Sequence, residues 1–222
     1  MDIIVFRTWI TSAGEVIEAN RDHLTQLDAA IGDADHGINL ARGFAAVLAA
    51  LDAKPAPTPG AVLTLTGSTL ISKVGGASGP LYGMAFRRAG QSLGDVDDVD
   101  LPALGQALEA ALAGVQQLGA AREGDKTMVD ALAPATRAFA KAVAEGAAQG
   151  DALSAAAAAA AEGAAATVSM QARKGRASYL GPRSVGHEDP GAASTALILA
   201  ALRDAAARPS AQHDRLPGNA GL

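Results

Sequence analysis

The sequence predicts an all-α protein, and three observations support that prediction. Hydrophobic residues make up 49% of the 222 residues and aromatic residues only 3%, so alanine, leucine, valine and isoleucine carry the apolar content. Alanine is the strongest helix former, and the aromatic residues that favour strands are scarce. Clusters of glycine and proline, such as residues 54–60 and 75–80, separate stretches of helical apolar periodicity, which is the pattern of helices joined by loops.

Eight helices follow from these stretches and breaks. Phe6 and Ile10 belong to the apolar stripe of the first helix, Pro80 and Pro102 occupy favoured first positions of two others, and Asp151 is a candidate cap. The predicted helices cover approximately residues 2–24, 37–50, 61–74, 80–93, 102–119, 127–147, 151–172 and 191–207. We expect residues 1–207 to form one domain with its own core and residues 208–222 to form a flexible tail.

The composition also excludes several classes of function. The net charge is −5, and lysine and arginine are scattered apart from the cluster Arg173–Arg176, so we expect no nucleic-acid partner. The absence of cysteine excludes disulfides, zinc–thiolate sites and thiol catalysis, and it fits a cytoplasmic protein. The N-terminus lacks the features of a signal peptide, and the alanine run 155–161 is too short and too weakly hydrophobic to span a membrane.

A cluster of carboxylates follows the first predicted helix. Asp28, Asp33 and Asp35 lie within eight residues, with no lysine or arginine among them. Their spacings of five and two do not share one helix face, so the segment must be a loop if the three converge. Converging carboxylates repel each other unless a cation lies between them, and an all-oxygen ligand set suits Mg2+. A solvated acidic turn in which an aspartate caps a helix is the alternative interpretation.

A glycine-rich segment, Gly75–Pro80, leads into another predicted helix. Its glycines expose backbone N–H groups, and a helix N-terminus behind such a loop binds anions. The Walker pattern of lysine followed by serine or threonine is absent, so metal would have to neutralise a bound phosphate. The acidic cluster would supply that metal. A plain turn between two helices is the alternative interpretation of this segment.

Two further segments place polar residues in loops. In the first, residues 124–130, Asp125 or Thr127 would cap a helix, and Met128 would lie either in the core or against a flat base. The second, residues 173–190, is longer than connections in compact helical proteins usually are unless they are functional. Its Arg176 would bind a phosphate, stack on a base or pair with an acid.

Taken together, these segments resemble the L subunit of dihydroxyacetone kinase, the nucleotide-binding partner of the kinase's substrate subunit. The resemblance rests on LDAAIGDADHGINLARGF, GGASGPLYGMAF, GDKTMVDAL and GRASYLGPRSVGHEDPGA, which run from residue 27 to about residue 192 in the order of the family. It implies a closed barrel of eight antiparallel helices with the nucleotide site at one end. The implied cofactors are ADP or ATP and two Mg2+ ions.

The resemblance also implies roles for the residues at matching positions. Asp28, Asp33 and Asp35 would bind the metal ions that bridge the nucleotide phosphates. The positions that match nucleotide contacts are His36, Gly37, Ile38, Asn39, Ala77, Ser78, Gly119, Met128, Arg176, Asp189, Pro190 and Gly191. No residue is predicted to be catalytic.

A protein of this family acts only with a partner, so the resemblance implies a subunit that carries a phosphoryl group to dihydroxyacetone held by a separate subunit. In phosphotransferase-system members, ADP stays bound and a phosphohistidine protein rephosphorylates it, whereas in ATP-dependent members the nucleotide exchanges. A free-standing subunit of this length favours the first mode. A homodimer is also left open.

Other functions remain open on the sequence alone. The chain could be an ATP-dependent kinase subunit for another small ketose or tetrose, or a nucleotide-sensing regulatory subunit that binds a transcription factor. The nucleotide domain of a fatty-acid kinase is disfavoured by the chain's length, and a ligand-free helical bundle is disfavoured by the four matching segments.

Overall fold

The structure, a computed structural model, describes residues 1–208, and none of these residues lies in a β-strand. The all-α prediction is therefore confirmed. The helices are α1 Ile3–Ala19, α2 Arg21–Ile31, α3 His36–Ala53, α4 Pro59–Lys73, α5 Ser78–Leu93, α6 Leu101–Gly119, α7 Val129–Ala144, α8 Gln149–Ala166 and α9 Pro190–Ala207, with 3-10 segments at Thr167–Ser169 and Arg176–Ser184.

The first predicted helix is in fact two helices. Asn20 leaves the helical conformation, and its side-chain amide donates to the Val16 carbonyl at 2.8 Å, which ends α1. The chain then re-enters a helix, and α2 continues to Ile31. Asp28 consequently lies in the last turn of α2, so the prediction that all three aspartates belong to a loop is wrong for this residue.

Side-chain caps fix several of the other helix starts. Thr58, Asp100 and Asp189 each accept a hydrogen bond from a backbone N–H group in the first turn of the following helix, at 3.2, 2.8 and 2.7 Å. Asp151 does not act as the predicted cap, because α8 begins two residues earlier and Asp151 lies in its first turn. α8 also ends at Ala166, before the predicted end at residue 172.

The long helices pack in chain order and return to their starting point. From α3 to α8, each helix contacts the next one in the chain, α9 contacts α1, and α1 contacts α3. The short α2 lies beside α3 and α9. The interior is apolar, and Trp9 donates its indole N–H to the Ile198 carbonyl at 2.9 Å. This cyclic order of eight helices is what a closed barrel requires, and closure itself stays a prediction.

α4 and α5 approach each other backbone to backbone. A Cβ built on Gly67 or on Gly83 would lie within 3 Å of the carbonyl oxygen of the other residue, and the same is true of Gly60 and Gly90. No other residue fits at such a contact without separating the helices. The close packing fixes the turn between α4 and α5, which carries the glycine-rich segment.

α8 and the turn after it, Gln149–Ser169, form the one stretch of residues 1–208 that reaches the length and mean hydropathy of a membrane span, although the sequence predicts none. Much of that hydropathy comes from alanine, and Ala152, Ala156 and Ala160 are buried in the core. A core helix of a soluble protein meets the same criterion. The predicted tail lies outside the described residues apart from Arg208, and the division into domain and tail stays a prediction.

Candidate functional site

The four segments singled out in the sequence meet around one cavity. It lies where the connection between α2 and α3 faces the connections before α5, α7 and α9. Each connection contributes polar groups to the lining, and the apolar part of the lining includes Ile31, Leu81 and Met128. A cavity of this kind is suited to a ligand that has both a charged part and a flat apolar part.

The three aspartates converge on one side of this cavity. One carboxylate oxygen from each of Asp28, Asp33 and Asp35 lies within 4.8 Å of the others. The Asp28 carboxylate is buried and accepts hydrogen bonds from the backbone N–H groups of Asp35 and His36, at 2.8 and 3.1 Å. Ala34 turns the chain with a φ of 61°, a conformation that non-glycine residues rarely adopt. Asp28 therefore organises this acidic turn, which we define as residues 32–35.

The donor set of the acidic turn fits a divalent cation. All three candidate ligands are carboxylate oxygens, and Mg2+ prefers oxygen ligands. The one basic group that pairs with the cluster among residues 1–208 is Arg176, whose Nε lies 3.1 Å from Asp33 Oδ2. Both of these side chains are partly exposed, so the salt bridge contributes little free energy. A cation can therefore compete with Arg176 for the Asp33 carboxylate.

The glycine-rich turn lies beside the acidic turn and carries the start of α5. Gly76 has a φ of 69°, and α5 begins at Ser78 rather than at the predicted Pro80. A Cβ on Gly79 would lie within 3 Å of the Val74 carbonyl oxygen and side chain, so α5 begins in close contact with the end of α4. The first N–H groups of a helix have no partner within it, and Ala77 and Ser78 bring this helix start to the cavity.

A buried hydroxyl network lies behind the cavity, and the sequence did not predict it. The Tyr82 hydroxyl lies 2.7 Å from Ser194 Oγ and 2.8 Å from Thr195 Oγ1, and Ser194 Oγ lies 2.9 Å from His36 Nε2. Burial raises the pKa of Tyr82 well above its ordinary value and lowers the pKa of His36. The network joins α3, α5 and α9 through groups that are uncharged at neutral pH.

Lys126 is the second feature that sequence reasoning missed. Its side chain is 1% exposed, and its ammonium group donates to the carbonyls of Thr167, Met170 and His187, the first two at 2.7 and 3.2 Å. Burial lowers the pKa of this lysine. The motif GDKT contains the residue, but a lysine in a polar turn gives no sign in the sequence that it is buried.

Asp189 is the most perturbed carboxyl group at the cavity. Burial raises its pKa to about 7, and the nearby Asp130 carboxylate adds to that rise, while Lys126 and the hydrogen bond from the Ala192 N–H oppose it. The same side chain caps α9. A carboxyl group that titrates near neutrality at a cavity is a feature of functional sites, although structural networks also produce it.

Comparison with known proteins identifies the family. Residues 30–204 match the DAK2 domain. The chain belongs to the DAK2 domain family. Among its relatives, the ADP-binding subunit DhaL of the PEP-dependent dihydroxyacetone kinase of Escherichia coli strain K12 is 43% identical over 198 residues, which cover 89% of this chain and 94% of the relative. The ADP-binding subunit DhaL of the PTS-dependent dihydroxyacetone kinase of Lactococcus lactis strain IL1403 is 38% identical, covering 90% of this chain and 95% of the relative.

Two solved structures are similar to this chain as well. The native crystal structure of the dihydroxyacetone kinase of C. freundii matches 92% of this chain with a TM-score of 0.70 and 28% identity. The crystal structure of that kinase in complex with AMP-PNP and Mg2+ matches with a TM-score of 0.67 and 29% identity. In both comparisons this chain covers 34% of the kinase chain, so it corresponds to about a third of that longer protein.

Most of the predicted site residues line the cavity of this DAK2 domain. Those that do are Asp28, Asp33, Asp35, His36, Ala77, Ser78, Met128, Arg176, Asp189, Pro190 and Gly191. Their convergence agrees with the prediction of one site, and their contacts with ligands stay predictions.

Four predicted site residues do not line the cavity. Gly37 packs against the backbone of α2, Ile38 is 49% exposed, and Asn39 accepts a hydrogen bond from Arg42 at 2.8 Å. Gly119, at the end of α6, lies against Leu81, a residue that does line the cavity. Their predicted contacts with nucleotide stay predictions.

Proposed function

We propose that this chain is the nucleotide-binding subunit of a dihydroxyacetone kinase that depends on the phosphotransferase system. It is a phosphotransferase component that is active only with a partner subunit. The observation that carries the proposal is the convergence of three carboxylates beside a helix N-terminus at one cavity, in a chain that matches ADP-binding kinase subunits over nearly their whole length.

Asp28, Asp33 and Asp35 would hold magnesium at the acidic turn, with two ions as the proposed number. Bound magnesium neutralises charge on phosphate oxygens and orients them for in-line phosphoryl transfer. Asp28 would contribute in a further way, because it accepts hydrogen bonds from two backbone N–H groups and so holds the turn in which Asp33 and Asp35 would face the ligand. This division suits a site that must bind charge without rearranging.

The remaining lining residues would bind the nucleotide itself. The backbone N–H groups at Ala77 and Ser78 would face phosphate oxygens, and Met128 would lie against the base, since its thioether is soft and apolar. Arg176 is exposed and lies on the 3-10 segment before α9, where its guanidinium would reach a phosphate. His36 and the sequence Asp189-Pro190-Gly191 would close the site from the α9 side.

The proposal includes a separate subunit that holds dihydroxyacetone, because we assign no residue of this chain to binding the ketone. A phosphohistidine donor protein is proposed from the PEP-dependent and PTS-dependent relatives. A cytoplasmic location belongs to the same proposal. The predicted homodimer stays a prediction.

A binding and turnover experiment tests this function. Saturating ADP with Mg2+, at about 100 times its Kd, should stabilise the chain by about 2.7 kcal/mol, which corresponds to a rise in Tm of roughly 5–10 °C. EDTA should abolish the rise, because the phosphates would lose their bridge to the carboxylates. The isolated chain should not phosphorylate dihydroxyacetone, and turnover should appear when the dihydroxyacetone-binding subunit and the phosphohistidine donor are added.

The outcomes separate the competing functions. Turnover with ATP but not with the donor protein would favour an ATP-dependent kinase, and binding without turnover in any mixture would favour a regulatory subunit. Turnover by the chain alone would contradict the two-subunit arrangement. An ADP-induced rise in Tm that survives EDTA would contradict the metal-bridged site.

A further inference from the structure

The segment between α8 and α9, residues 167–189, contributes Arg176 and Asp189 to the cavity and has little hydrophobic support of its own. Its buried apolar residues Ala172 and Ala177 pack only with Ile31 and Leu180, in a small cluster separate from the main core. The backbone between them is in 3-10 turns and irregular structure. Hydrogen bonds must therefore supply most of the interactions that keep this α8–α9 segment in place.

The ammonium group of Lys126 supplies three of those bonds. Its acceptors are the carbonyls of Thr167 and Met170 at the beginning of the segment and of His187 near its end. One side chain from the turn before α7 thus joins two parts of the chain that lie about twenty residues apart. Two further hydrogen bonds join the beginning of the segment to its end. The Asp189 N–H donates to Thr167 Oγ1 at 2.9 Å, and the Gly186 N–H donates to the Val168 carbonyl at 2.8 Å.

The chemistry of the group argues against direct phosphate binding. An ammonium ion has three N–H donors, and carbonyls within the protein occupy all three. Lys126 takes part in none of the salt bridges among residues 1–208, so its direct partners are backbone carbonyls, and the Asp189 and Asp130 carboxylates favour its charge only from a longer distance. A buried charge is tolerated only when it is hydrogen-bonded in this way.

The backbone at Lys126 is also in an unusual conformation. Its φ is 63°, in the left-handed region that a non-glycine residue rarely adopts. The surrounding turn imposes this φ, because the Asp130 carboxylate accepts hydrogen bonds from the Gly124 and Thr127 N–H groups at 2.5 and 2.7 Å. A strained backbone conformation persists in a native structure only when the surrounding contacts enforce it, and here those contacts fix the direction of the Lys126 side chain.

We propose that Lys126 is a positioning residue of the nucleotide site: its ammonium group fixes both ends of the α8–α9 segment and thereby holds Arg176 and Asp189 at the cavity. The inference rests on the proposed function for its ligand, ADP with Mg2+. The turn that carries Lys126 leads directly to Met128, so this one residue links the proposed base-binding side of the cavity to the segment opposite.

The absence of cysteine from the whole chain allows a chemical test. Lys126→Cys would be alkylated in the unfolded state, either with 2-bromoethylamine, which restores an ammonium group at nearly the length of lysine, or with 1-bromopropane, which gives a neutral side chain of similar size. Both proteins would then be refolded. Lys141→Cys, at an exposed lysine of α7, would receive the same two treatments as the matched control.

Two measurements report on the segment and on the site. Trypsin cuts after lysine and arginine, and the α8–α9 segment offers Arg173, Lys174, Arg176 and Arg183, so the cleavage rate there measures its order without any nucleotide. The propyl form should be cut faster and should bind Mg-ADP more weakly by roughly 10- to 100-fold, the range for groups that orient a site without touching its ligand. The aminoethyl form should return both values to those of the parent, and both Lys141→Cys products should match the parent.

Three outcomes would overturn the inference. The propyl form behaving like the parent would show that the ammonium is not needed, and equal losses in both alkylated forms would show that charge is not the cause. Recovery of helical circular dichroism by the aminoethyl form alone would make Lys126 a determinant of the whole fold rather than of this segment. A parent chain that fails to bind Mg-ADP would contradict the proposed function, while the cleavage rates would still decide what Lys126 does to the segment.

Discussion

On each side of the cavity a buried charged side chain holds the backbone by hydrogen bonds, and the two side chains have opposite charge. On one side, the short acidic turn is fixed by the buried Asp28 carboxylate, which accepts two backbone N–H groups. On the other side, the long α8–α9 segment is fixed by the buried Lys126 ammonium, which donates to three backbone carbonyls. In both cases a charged group on a preceding element orients backbone, and that backbone presents a more exposed side chain, Asp33 or Arg176, to the cavity.

The two sides differ in what remains uncompensated. Each N–H donor of the Lys126 ammonium has a carbonyl partner, whereas Asp33 and Asp35 of the acidic turn lie close to the Asp28 carboxylate, which has the same charge. The salt bridge between Arg176 and Asp33 is the one ion pair that crosses the cavity among residues 1–208. The charge on the α8–α9 side is therefore compensated within the protein, whereas the like charges on the acidic side would be relieved by the proposed cation.

Substitution of Asp28 should have the largest effect, because it should weaken both Mg-ADP binding and the fold of the acidic turn. Asp28→Ala removes a proposed metal ligand and the acceptor of two N–H groups, so Mg-ADP affinity should fall by more than about 100-fold. The free energy of unfolding without ligand should also fall by about 1–2 kcal/mol. Calorimetric titration and urea unfolding measure the two effects.

Asp33→Ala is the matched control for Asp28→Ala. Asp33 is exposed and bonds to no backbone N–H group of the turn, so its loss should weaken Mg-ADP binding while ligand-free stability holds or rises slightly as repulsion is relieved. If both variants lose equal stability, Asp28 does not organise the turn. If neither changes Mg-ADP affinity, the metal assignment is wrong.

The titration of Asp189 should produce the next largest effect. Its pKa in the folded chain is about 7 against an ordinary value of 3.8, so between these values the folded state holds a proton that the unfolded state has released. Stability from this group is therefore present at low pH and is lost as pH rises towards 7. From pH 5.0 to 6.5 the loss should be about 2 kcal/mol, at about 1.4 kcal/mol per pH unit.

Asp189→Asn isolates this contribution, because asparagine does not titrate and caps a helix about as well as aspartate. Urea unfolding of both proteins without Mg2+ from pH 5.0 to 6.5 gives the difference, and the contribution of His36 cancels because both proteins contain it. The difference in unfolding free energy, parent minus variant, should fall as pH rises. Parallel profiles would mean that Asp189 is ionised throughout this range in the folded chain.

Arg176→Ala should have the smallest effect on the fold. The side chain is 68% exposed and its one ion pair is with Asp33, so the unfolding free energy should change by no more than about 0.5 kcal/mol. Mg-ADP affinity and turnover with the partner subunit should nevertheless fall, because the guanidinium would no longer reach a phosphate. A large loss of stability would instead mean that Arg176 holds the segment in place, which is the role we propose for Lys126.

The sequence predicted the all-helical fold and brought most of the site residues together, because glycine, proline and clustered carboxylates mark their loops directly. It did not predict the break at Asn20, where neither glycine nor proline interrupts the chain. It placed Asp28 in a loop because the spacings of the three aspartates do not share one helix face. Ala34 and Lys126 reverse the chain with positive φ although neither is glycine. Such turns depend on tertiary hydrogen bonds that local residue preferences do not encode.

Burial was the second property that the sequence could not supply. Lys126 lies in a polar motif and Tyr82 lies in a glycine-rich one, yet both side chains are buried. Tyr82 joins α5 to α9, and Lys126 joins two parts of the α8–α9 segment. Conversely, Ile38 belongs to a matching motif and Gly119 occupies a matching position outside the four motifs, but neither residue lines the cavity. A motif identifies a neighbourhood in the chain, whereas the packing of helices decides which of its side chains point inward.

The glycines at the contact between α4 and α5 add to the positions at which a mutation can damage the site, although they do not line its cavity. Gly67 and Gly83 do not line the cavity, yet the helices that they hold together lead into and out of the turn that carries Gly76 and Ser78. Every missense change at those two codons adds a Cβ where opposing backbone already lies within 3 Å. A mutation at either codon can therefore abolish the proposed nucleotide binding although neither glycine lines the cavity.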